Sequence, residues 1–261
     1  MGGTDTILQV TDLSKTFKLS AKQQRLENTS EKLRRAVDRL SFTVRKSEIY
    51  GLLGPNGAGK TTTLRMLATL IRPDSGDALV DGYSVVHEPQ QVRSRIGFLT
   101  SELKLEEFFT PSYLFDFFAR LHNVDPALAA AHKQRLFERF GIGEFSEVKV
   151  ASLSTGMKQK ASLAISIVHD PAIIIFDEPT NGLDVLTARV VTDYLAELRD
   201  AGKTIVLSTH IFSLAERLCD SVGIIVGGQM SVSGTLDEVR AGKDLEDRFF
   251  DLYQQQAGEA A

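Results

Sequence analysis

The residues best suited to chemistry lie in the stretch GLLGPNGAGKTTTL, residues 51–64. Glycines are dense in it, and a lysine and three threonines follow them directly. Gly54 to Thr61 fits the pattern G-x-x-x-x-G-K-[ST], which holds phosphates where a strand runs into a helix. Gly57 and Gly59 let successive backbone N–H groups point into one concavity. We therefore expect a bound triphosphate; the alternative is a glycine turn that matches by chance.

The loop predicts two cofactors, ATP and Mg²⁺. Lys60 is expected to reach the β- and γ-phosphates, and the Thr61 hydroxyl is expected to bind the Mg²⁺ ion. The predicted nucleotide-binding residues of the loop are Gly54, Pro55, Asn56, Gly57, Ala58, Gly59, Lys60, Thr61 and Thr62.

Two adjacent carboxylates, Asp177 and Glu178, end the apolar run at 172–176. Neighbouring residues of a strand point to opposite faces, so we expect the two acids to have different tasks. Asp177 is expected to face the phosphate loop and hold Mg²⁺. Glu178 is expected to orient and deprotonate the attacking water. The alternative is a solvated strand end.

His210 follows another apolar run, at 204–208. Ligands of open α/β sheets bind at the carboxyl ends of the strands, so we expect its ring to hydrogen-bond the γ-phosphate. The predicted catalytic residues are thus Lys60, Glu178 and His210. The remaining histidines are expected to be surface or packing residues; they are His87, His122, His132 and His169.

Short apolar runs alternate with helical patterns along the chain, which indicates an α/β fold with a parallel sheet. Expected strands are 7–10, 41–44, 49–53, 78–80, 96–100, 172–176, 204–208 and 222–226, and expected helices are 60–71, 187–201 and 211–219. Residues 102–150 lack a strand pattern and show helix-like spacing of aromatic and leucine residues, which predicts an inserted helical subdomain. The last residues are expected to form a frayed tail.

The composition is that of a globular protein, with 43% hydrophobic residues and one cysteine among 261 residues. The formal net charge of −4 provides no overall attraction to nucleic acid, and no nucleic-acid partner is expected. No apolar run approaches the roughly 18–20 residues needed to span a bilayer. Work at a membrane would therefore require another polypeptide to hold the chain there.

Three further segments carry a family resemblance. LSTGM at 153–157 resembles the signature sequence of ABC ATPases, Gly182-Leu183-Asp184 resembles their D-loop, and His210 resembles their H-loop. The order and spacing match over roughly residues 6 to 252. The resemblance implies one ABC ATP-binding domain over 1–261: a P-loop NTPase with a RecA-like parallel-sheet core, an antiparallel β subdomain and the inserted helical subdomain at about 102–150. A C-terminal helix and tail are expected at about 235–261.

The resemblance also implies nucleotide contacts outside the loop. Ser154 and Gly156 are expected to serve the nucleotide of an opposite subunit in a homodimer that sandwiches two ATP molecules. Asp184, in the D-loop, is a further predicted nucleotide-binding residue. Phe17, after the first strand, is expected to stack on adenine, with a core position as the alternative.

Some positions depart from the family pattern. Thr155 and Met157 replace the usual Gly and Gln of the signature, as in exporter subunits of the ABC-2 kind. Ser101 stands where a Mg²⁺-contacting glutamine is usual, and we predict that it is a metal ligand. Either the serine reaches the metal through water, or Glu102 beside it takes that place.

An unusually long stretch, residues 18–35, follows the first strand and holds six basic and two acidic residues. One hypothesis is a solvated loop; the other is contact with a permease or with lipid headgroups.

The resemblance implies a motor subunit of an ABC exporter, bound to separate membrane permease subunits at the cytoplasmic face of the cell membrane. LSTGMKQK, the long first loop and LEDRFFDLY look most like ATP-binding subunits of bacterial and archaeal sodium exporters. Exporters of drugs, lipids or polysaccharides share much of this pattern. Two hypotheses without transport stay open: a soluble ABC ATPase, and a module that binds nucleotide without hydrolysing it.

Overall fold

The computed structural model describes residues 5–26, 29–100 and 105–259 of the chain. The strands are β1 (Thr6–Lys18), β2 (Leu33–Arg45), β3 (Ile49–Leu53), β4 (Ser75–Val80), β5 (Tyr83–Ser84), β6 (Ile96–Thr100), β7 (Ile173–Asp177), β8 (Thr204–Thr209), β9 (Ser221–Val226) and β10 (Gln229–Thr235). The α-helices are α1 (Ala21–Leu26), α2 (Lys60–Leu67), α3 (Pro89–Arg93), α4 (Pro111–Leu121), α5 (Pro126–Phe140), α6 (Thr155–Ser166), α7 (Val185–Asp200), α8 (Phe212–Leu218), α9 (Leu236–Arg240) and α10 (Leu245–Glu259).

In the described part of the chain the strands form two sheets. The larger sheet has the order β10-β9-β3-β8-β7-β6; β10 is antiparallel to β9, and the other pairs are parallel. The smaller sheet is antiparallel, with the order β2-β1-β4-β5. The predicted combination of a parallel-sheet core with an antiparallel β subdomain is confirmed.

Four strands of the larger sheet, β3, β7, β8 and β9, are buried along their whole length, as strands covered on both faces are. This burial explains why their sequences are apolar with little alternation. In β7, Ile173 and Ile175 pack with α2 and the smaller sheet. Ile174 and Phe176 pack into the second core, formed with the helices on the other face. Asp177 follows the same alternation and therefore lies on the α2 side, at the carboxyl end of the strand.

Helices α4, α5 and α6 are inserted between the strands β6 and β7 of the larger sheet. Helices α4 and α5 each begin with a proline that follows a capping residue. Thr110 caps α4 by accepting from Tyr113 N–H, and Asp125 caps α5 by accepting from Ala127 N–H. Phe115 and Phe137 meet edge to face with ring centroids 5.5 Å apart and hold the two helices together. The inserted helical unit of the predicted fold is therefore present.

Several elements differ from the sequence-based expectation, and for three of them the physical reason is local or lies in strand pairing. Helix α2 ends at Leu67 and not near Ile71, because Thr69 adopts a left-handed conformation (φ 60°) and Leu70 N–H donates back to Arg65 O in a Schellman arrangement. Strand β10, which has weak strand character, forms through its pairing with β9. Helix α10 runs on to Glu259 through residues predicted as tail, since Gln, Ala and Glu are good helix formers.

The described residues of the long first stretch, 18–26 and 29–35, extend a hairpin. Strands β1 and β2 stay paired as far as Lys18 and Leu33, and α1 occupies the connection beyond them. Among the described helices, none combines the length and the apolar character needed to cross a bilayer.

Candidate active site

The loop between β3 and α2 curls through glycines with positive φ. Gly57 has φ 84° and Gly59 has φ 106°, a backbone conformation that side-chain-bearing residues rarely adopt. A Cβ atom at Gly59 would press on the carbonyl oxygen of Ala36, so the loop can follow this path only without a side chain there. Gly59 also precedes α2 without offering a side-chain cap, which leaves the first N–H groups of the helix available to an anion. The cradle therefore fits a phosphate group.

Lys60 lies at the base of this cradle, with 4% of its side chain exposed. Its Nζ donates to Gly54 O at 2.7 Å and to Pro55 O at 3.2 Å. Burial lowers the pKa of Lys60, and the nearby Glu178 carboxylate opposes that shift. The ammonium group is thus held at the loop by carbonyls that a phosphate can replace as its partners.

Asp177 is buried and accepts two hydroxyl hydrogen bonds on the same oxygen, Oδ1. Thr61 Oγ1 donates to it at 3.0 Å, and Ser208 Oγ donates to it at 2.5 Å. Mg²⁺ is usually held by one or two protein ligands, with phosphate oxygens and waters completing six-fold coordination. The adjacent hydroxyl of Thr61 and carboxylate of Asp177 fit that requirement and could hold the ion.

Glu178 lies beyond the end of β7 and has φ 54°. Its N–H donates to Ser208 O at 3.2 Å and to Ser208 Oγ at 3.1 Å. Its carboxylate is placed between two cationic or hydrogen-bonding groups: Oε1 is 3.5 Å from Lys60 Nζ, and Oε2 is 3.0 Å from His210 Nδ1. Asp177 and Glu178 therefore do not point to opposite faces as predicted, because the alternation ends with the strand and both acids reach the same cleft. Their different partners, and not opposite faces, separate them.

These groups line one open cleft of about 590 Å³, a size ordinary for a small-molecule site. Phe17, of which 37% is exposed, lies on its rim and not in a core. Of the residues predicted from the sequence, the lining contains Phe17, Asn56, Gly57, Gly59, Lys60, Thr61, Thr62, Asp177, Glu178 and His210. Gly54, Pro55 and Ala58 belong to the same loop but are not part of the lining.

The other predicted nucleotide contacts lie elsewhere on the chain. Ser154 caps α6 by accepting from Met157 N–H at 3.3 Å, and Asp184 caps α7. The Thr187 backbone N–H and hydroxyl hold the pKa of Asp184 below its usual value. A Cβ atom at Gly156 would lie 3.2 Å from Thr187 Oγ1, so the starts of α6 and α7 adjoin. The structure groups Ser154, Gly156 and Asp184 with one another, outside the lining of the phosphate cleft. Ser101 and Glu102 lie outside the described residues.

Several site residues are absent from the sequence-based expectation. Ser208 Oγ hydrogen-bonds both the Asp177 carboxylate and the Glu178 backbone N–H. It can do so because β7 and β8 are paired neighbours, with Asp177 opposite Ser208. The sequence contains a hint, since Ser208 is the last residue of the expected strand 204–208 and lies two residues before His210. The strand order is needed to bring it to Asp177. Ser208 is buried behind the cleft; the unpredicted residues of the lining itself are Leu19, Arg34, Ala36 and Asn181.

The arrangement can bind a nucleoside triphosphate and hydrolyse it. Phosphates placed in the cradle would meet the backbone N–H groups and Lys60, and the carboxylate of Glu178, 3.5 Å from Lys60 Nζ, could take a proton from a water molecule there. His210, with 41% of its side chain exposed, faces the same space.

Comparison with known proteins agrees with this geometry. The family described as ABC transporter matches residues 37–181, more than half of the chain. The ABC transporter ATP-binding protein NatA of Bacillus subtilis (strain 168) is 36% identical over 92% of this chain and 94% of its own length. The daunorubicin resistance ATP-binding protein DrrA3 of Streptomyces coeruleorubidus is 37% identical over 80% of this chain and 66% of its own length.

A solved structure of an ATP-binding subunit of an ABC transporter has the same fold, with a TM-score of 0.82 at 29% identity. The superposition covers 95% of this chain and 99% of the other. The chain therefore belongs to the ABC transporter family, as an ATP-binding subunit with the ATPase activity that characterises the family.

Proposed function

We propose that this chain is the motor of an exporter: it binds MgATP, pairs with a second copy of itself, and drives separate permease subunits at the cytoplasmic face of the cell membrane. One observation carries the motor role: the phosphate loop, Asp177, Glu178 and His210 meet in a single cleft. A module that only bound nucleotide would not require Glu178 beside the phosphates.

Each residue has a proposed task in hydrolysis. Glu178 accepts a proton from water, whose oxygen attacks the γ-phosphorus while the bond to the β–γ bridging oxygen breaks. Lys60 balances charge on the β- and γ-phosphates, and His210 orients the γ-phosphate and Glu178. Thr61 and Asp177 hold Mg²⁺, which when bound neutralises phosphate charge; Ser101 is a further proposed ligand. Phe17 stacks on the adenine.

The dimer proposal is supported by the surface near the starts of α6 and α7. Val185 and Leu186 follow Asp184 directly and are 84% and 80% exposed. Two adjacent apolar side chains at a helix start, next to the anion-binding geometry of Ser154 and Gly156, suit burial against another subunit. ATP binding would close two chains around the nucleotides, and hydrolysis would release them.

The permease proposal is supported by the apolar character of α4 and its neighbours. A second cleft, of about 250 Å³, lies between β6, α4 and α6; Phe98, Leu114 and Phe118 are part of its lining. On the exposed side of α4, Tyr113 and Phe117 stack with ring centroids 6.4 Å apart. We propose that the permease contacts this region, around residues 99–122.

Sodium is the proposed cargo, on the resemblance of LSTGMKQK, the long first hairpin and LEDRFFDLY to subunits of sodium exporters. The similarity to a daunorubicin resistance protein favours drug export as the second candidate. Export of a lipid or polysaccharide, and the role of a soluble ABC ATPase without transport, rank behind these two candidates.

Sequencing the neighbouring reading frames, and co-expressing this chain with any of their products that has several membrane spans, tests the motor role. We expect a detergent-stable complex, and in proteoliposomes ATP-dependent movement of ²²Na⁺ but not of daunorubicin. Drug movement without sodium movement would select the second candidate. Failure to bind any polytopic membrane protein would favour the soluble ATPase.

Matched variants test the proposed contact region. Phe117→Asp, on the exposed side of α4, is expected to abolish the complex. Leu128→Asp, at a comparably exposed position on α5, is expected to leave it intact. Equal loss in both variants would contradict a specific contact at α4.

A further inference from the structure

Arg34 faces the nucleotide cleft from the extended hairpin. In the register of β1 and β2, Phe17 pairs with Arg34. Residues directly opposite each other in an antiparallel pair share a face of the sheet. Both line the cleft, so the hairpin presents an aromatic ring and a guanidinium side by side to the same ligand.

The guanidinium of Arg34 reaches the phosphate loop. Its Nη2 donates to Gly57 O at 3.3 Å, and a Cβ atom at Gly57 would lie 2.9 Å from the same nitrogen. A neutral carbonyl at this distance is a modest acceptor, whereas a phosphate oxygen beside the same loop would form a shorter, charge-assisted hydrogen bond. The planar fork of five donors also suits two phosphate oxygens at once.

The positive charge of Arg34 balances the negative charges of the cleft. Among the described lining residues, Lys60 and Arg34 are the cations, and Asp177 and Glu178 are the anions. Lys60 is already 3.5 Å from Glu178. Without Arg34 the lining would be net negative, which is unfavourable for a polyphosphate with several negative charges of its own.

We propose that Arg34 is a nucleotide-binding residue that contacts the phosphate chain of ATP and ADP, and that the long first hairpin serves to deliver it. This role for residues 18–35 differs from both a solvated loop and a membrane contact. The proposal deepens the nucleotide-binding step of the proposed function and rests on it.

The chain offers a matched control one residue away. Arg35 pairs with Thr16 in the register and ion-pairs with Asp38 at 3.1 Å, and it is not part of the cleft lining. Removing either arginine changes the net charge of the hairpin equally, but only Arg34 faces the loop.

The test compares the wild type with Arg34→Ala, Arg34→Lys and Arg35→Ala. Dissociation constants for ATP, ADP and AMP are measured by competition with a fluorescent nucleotide in the presence of Mg²⁺, and thermal melting verifies the fold of each variant. We expect Arg34→Ala to weaken ATP binding about tenfold, Arg34→Lys to recover part of that loss, and Arg35→Ala to stay within about twofold. The loss should shrink from ATP to AMP.

Wild-type affinity in Arg34→Ala, equal losses in the two alanine variants, or an equal loss for ATP and AMP would each overturn the proposal. These outcomes differ from a failure of the proposed function itself, in which the wild-type chain would bind no ATP.

Discussion

His210 Nδ1 lies 3.0 Å from Glu178 Oε2, while the other oxygen of that carboxylate is 3.5 Å from Lys60 Nζ. Glu178 is thereby positioned from both sides, with its backbone N–H secured by Ser208. A carboxylate held in this way can receive a proton without first having to find its orientation. Its role in hydrolysis should therefore depend on the carboxylate itself and on the groups that hold it.

Glu178→Gln removes the proposed proton acceptor and keeps the size of the side chain. We expect steady-state turnover to fall by about 10²–10⁴-fold, because amides do not accept protons from water, while ATP still binds. Phosphate release and equilibrium ATP binding measure the two effects. Full turnover would remove Glu178 from its role.

The same variant should accumulate the ATP-bound dimer, since hydrolysis no longer releases it. Analytical ultracentrifugation with and without ATP measures this. A sedimentation coefficient that stays monomeric with ATP would argue against the sandwich dimer.

His210→Ala removes the group that contacts Glu178 Oε2. We expect turnover to fall by about 10²-fold with a smaller change in ATP affinity, because positioning contributes more to the transition state than to binding. His87→Ala, at an exposed position, is the control. Similar activities of the two variants would leave His210 without a role in hydrolysis.

Ser208→Ala removes a buried hydroxyl that donates to Asp177 and accepts from the Glu178 N–H. We expect the free energy of unfolding to fall by about 1–3 kcal/mol. The Mg²⁺ concentration for half-maximal turnover should rise by about 10–100-fold, as for other groups that orient a metal ligand.

Urea denaturation and Mg²⁺ titrations measure the two effects of Ser208→Ala. Ser94→Ala, at an exposed serine, should behave as the wild type. An unchanged Mg²⁺ requirement would show that Asp177 does not depend on Ser208 for its orientation.

Phe17→Ala removes the proposed adenine platform. We expect the ATP dissociation constant to rise by about 5–150-fold, since stacking of a base on an aromatic ring contributes about 1–3 kcal/mol. Phe17→Trp should retain affinity, and Phe108→Ala, at a highly exposed phenylalanine, should have no effect on binding. Isothermal titration calorimetry separates these outcomes; unchanged affinity in Phe17→Ala would contradict stacking.

His122 and His169 stack on each other in the lining of the second cleft, with ring centroids 4.0 Å apart. Their burial predicts that the stability of the fold depends on pH. Burial, followed by the neighbouring His122 ring, lowers the pKa of His169 to about 4, against about 6.5 in an unfolded chain. Its Nε2 hydrogen-bonds Ile96 O at 3.0 Å, which the neutral tautomer can do. Because the unfolded chain then binds more protons, the free energy of unfolding should decrease as the pH falls from about 6.5 to about 4.

Denaturant titrations between pH 7 and pH 4 measure this dependence. His169→Gln keeps an amide donor for Ile96 O but does not titrate, so its stability should change less steeply with pH. His87→Gln should keep the wild-type slope. An unaltered slope in His169→Gln would show that another group dominates.

The sequence alone determined the phosphate loop, the α/β class and the family, because these depend on local features. A G-x-x-x-x-G-K-[ST] stretch between an apolar strand and a helix is typical of a phosphate-binding loop. The expected strands 49–53 and 96–100 have the same bounds as β3 and β6. Such patterns are encoded by neighbours along the chain.

The tertiary structure decided which groups meet. Ser208 reaches Asp177 through the pairing of β8 with β7, and Arg34 reaches Gly57 through a hairpin register that no local pattern specifies. Glu178 joins Asp177 in one cleft because the chain turns out of the strand at a positive φ, which an argument from strand alternation cannot foresee. Contacts between residues far apart in sequence depend on strand order, register and backbone turns, and these are set by the packing of the whole domain.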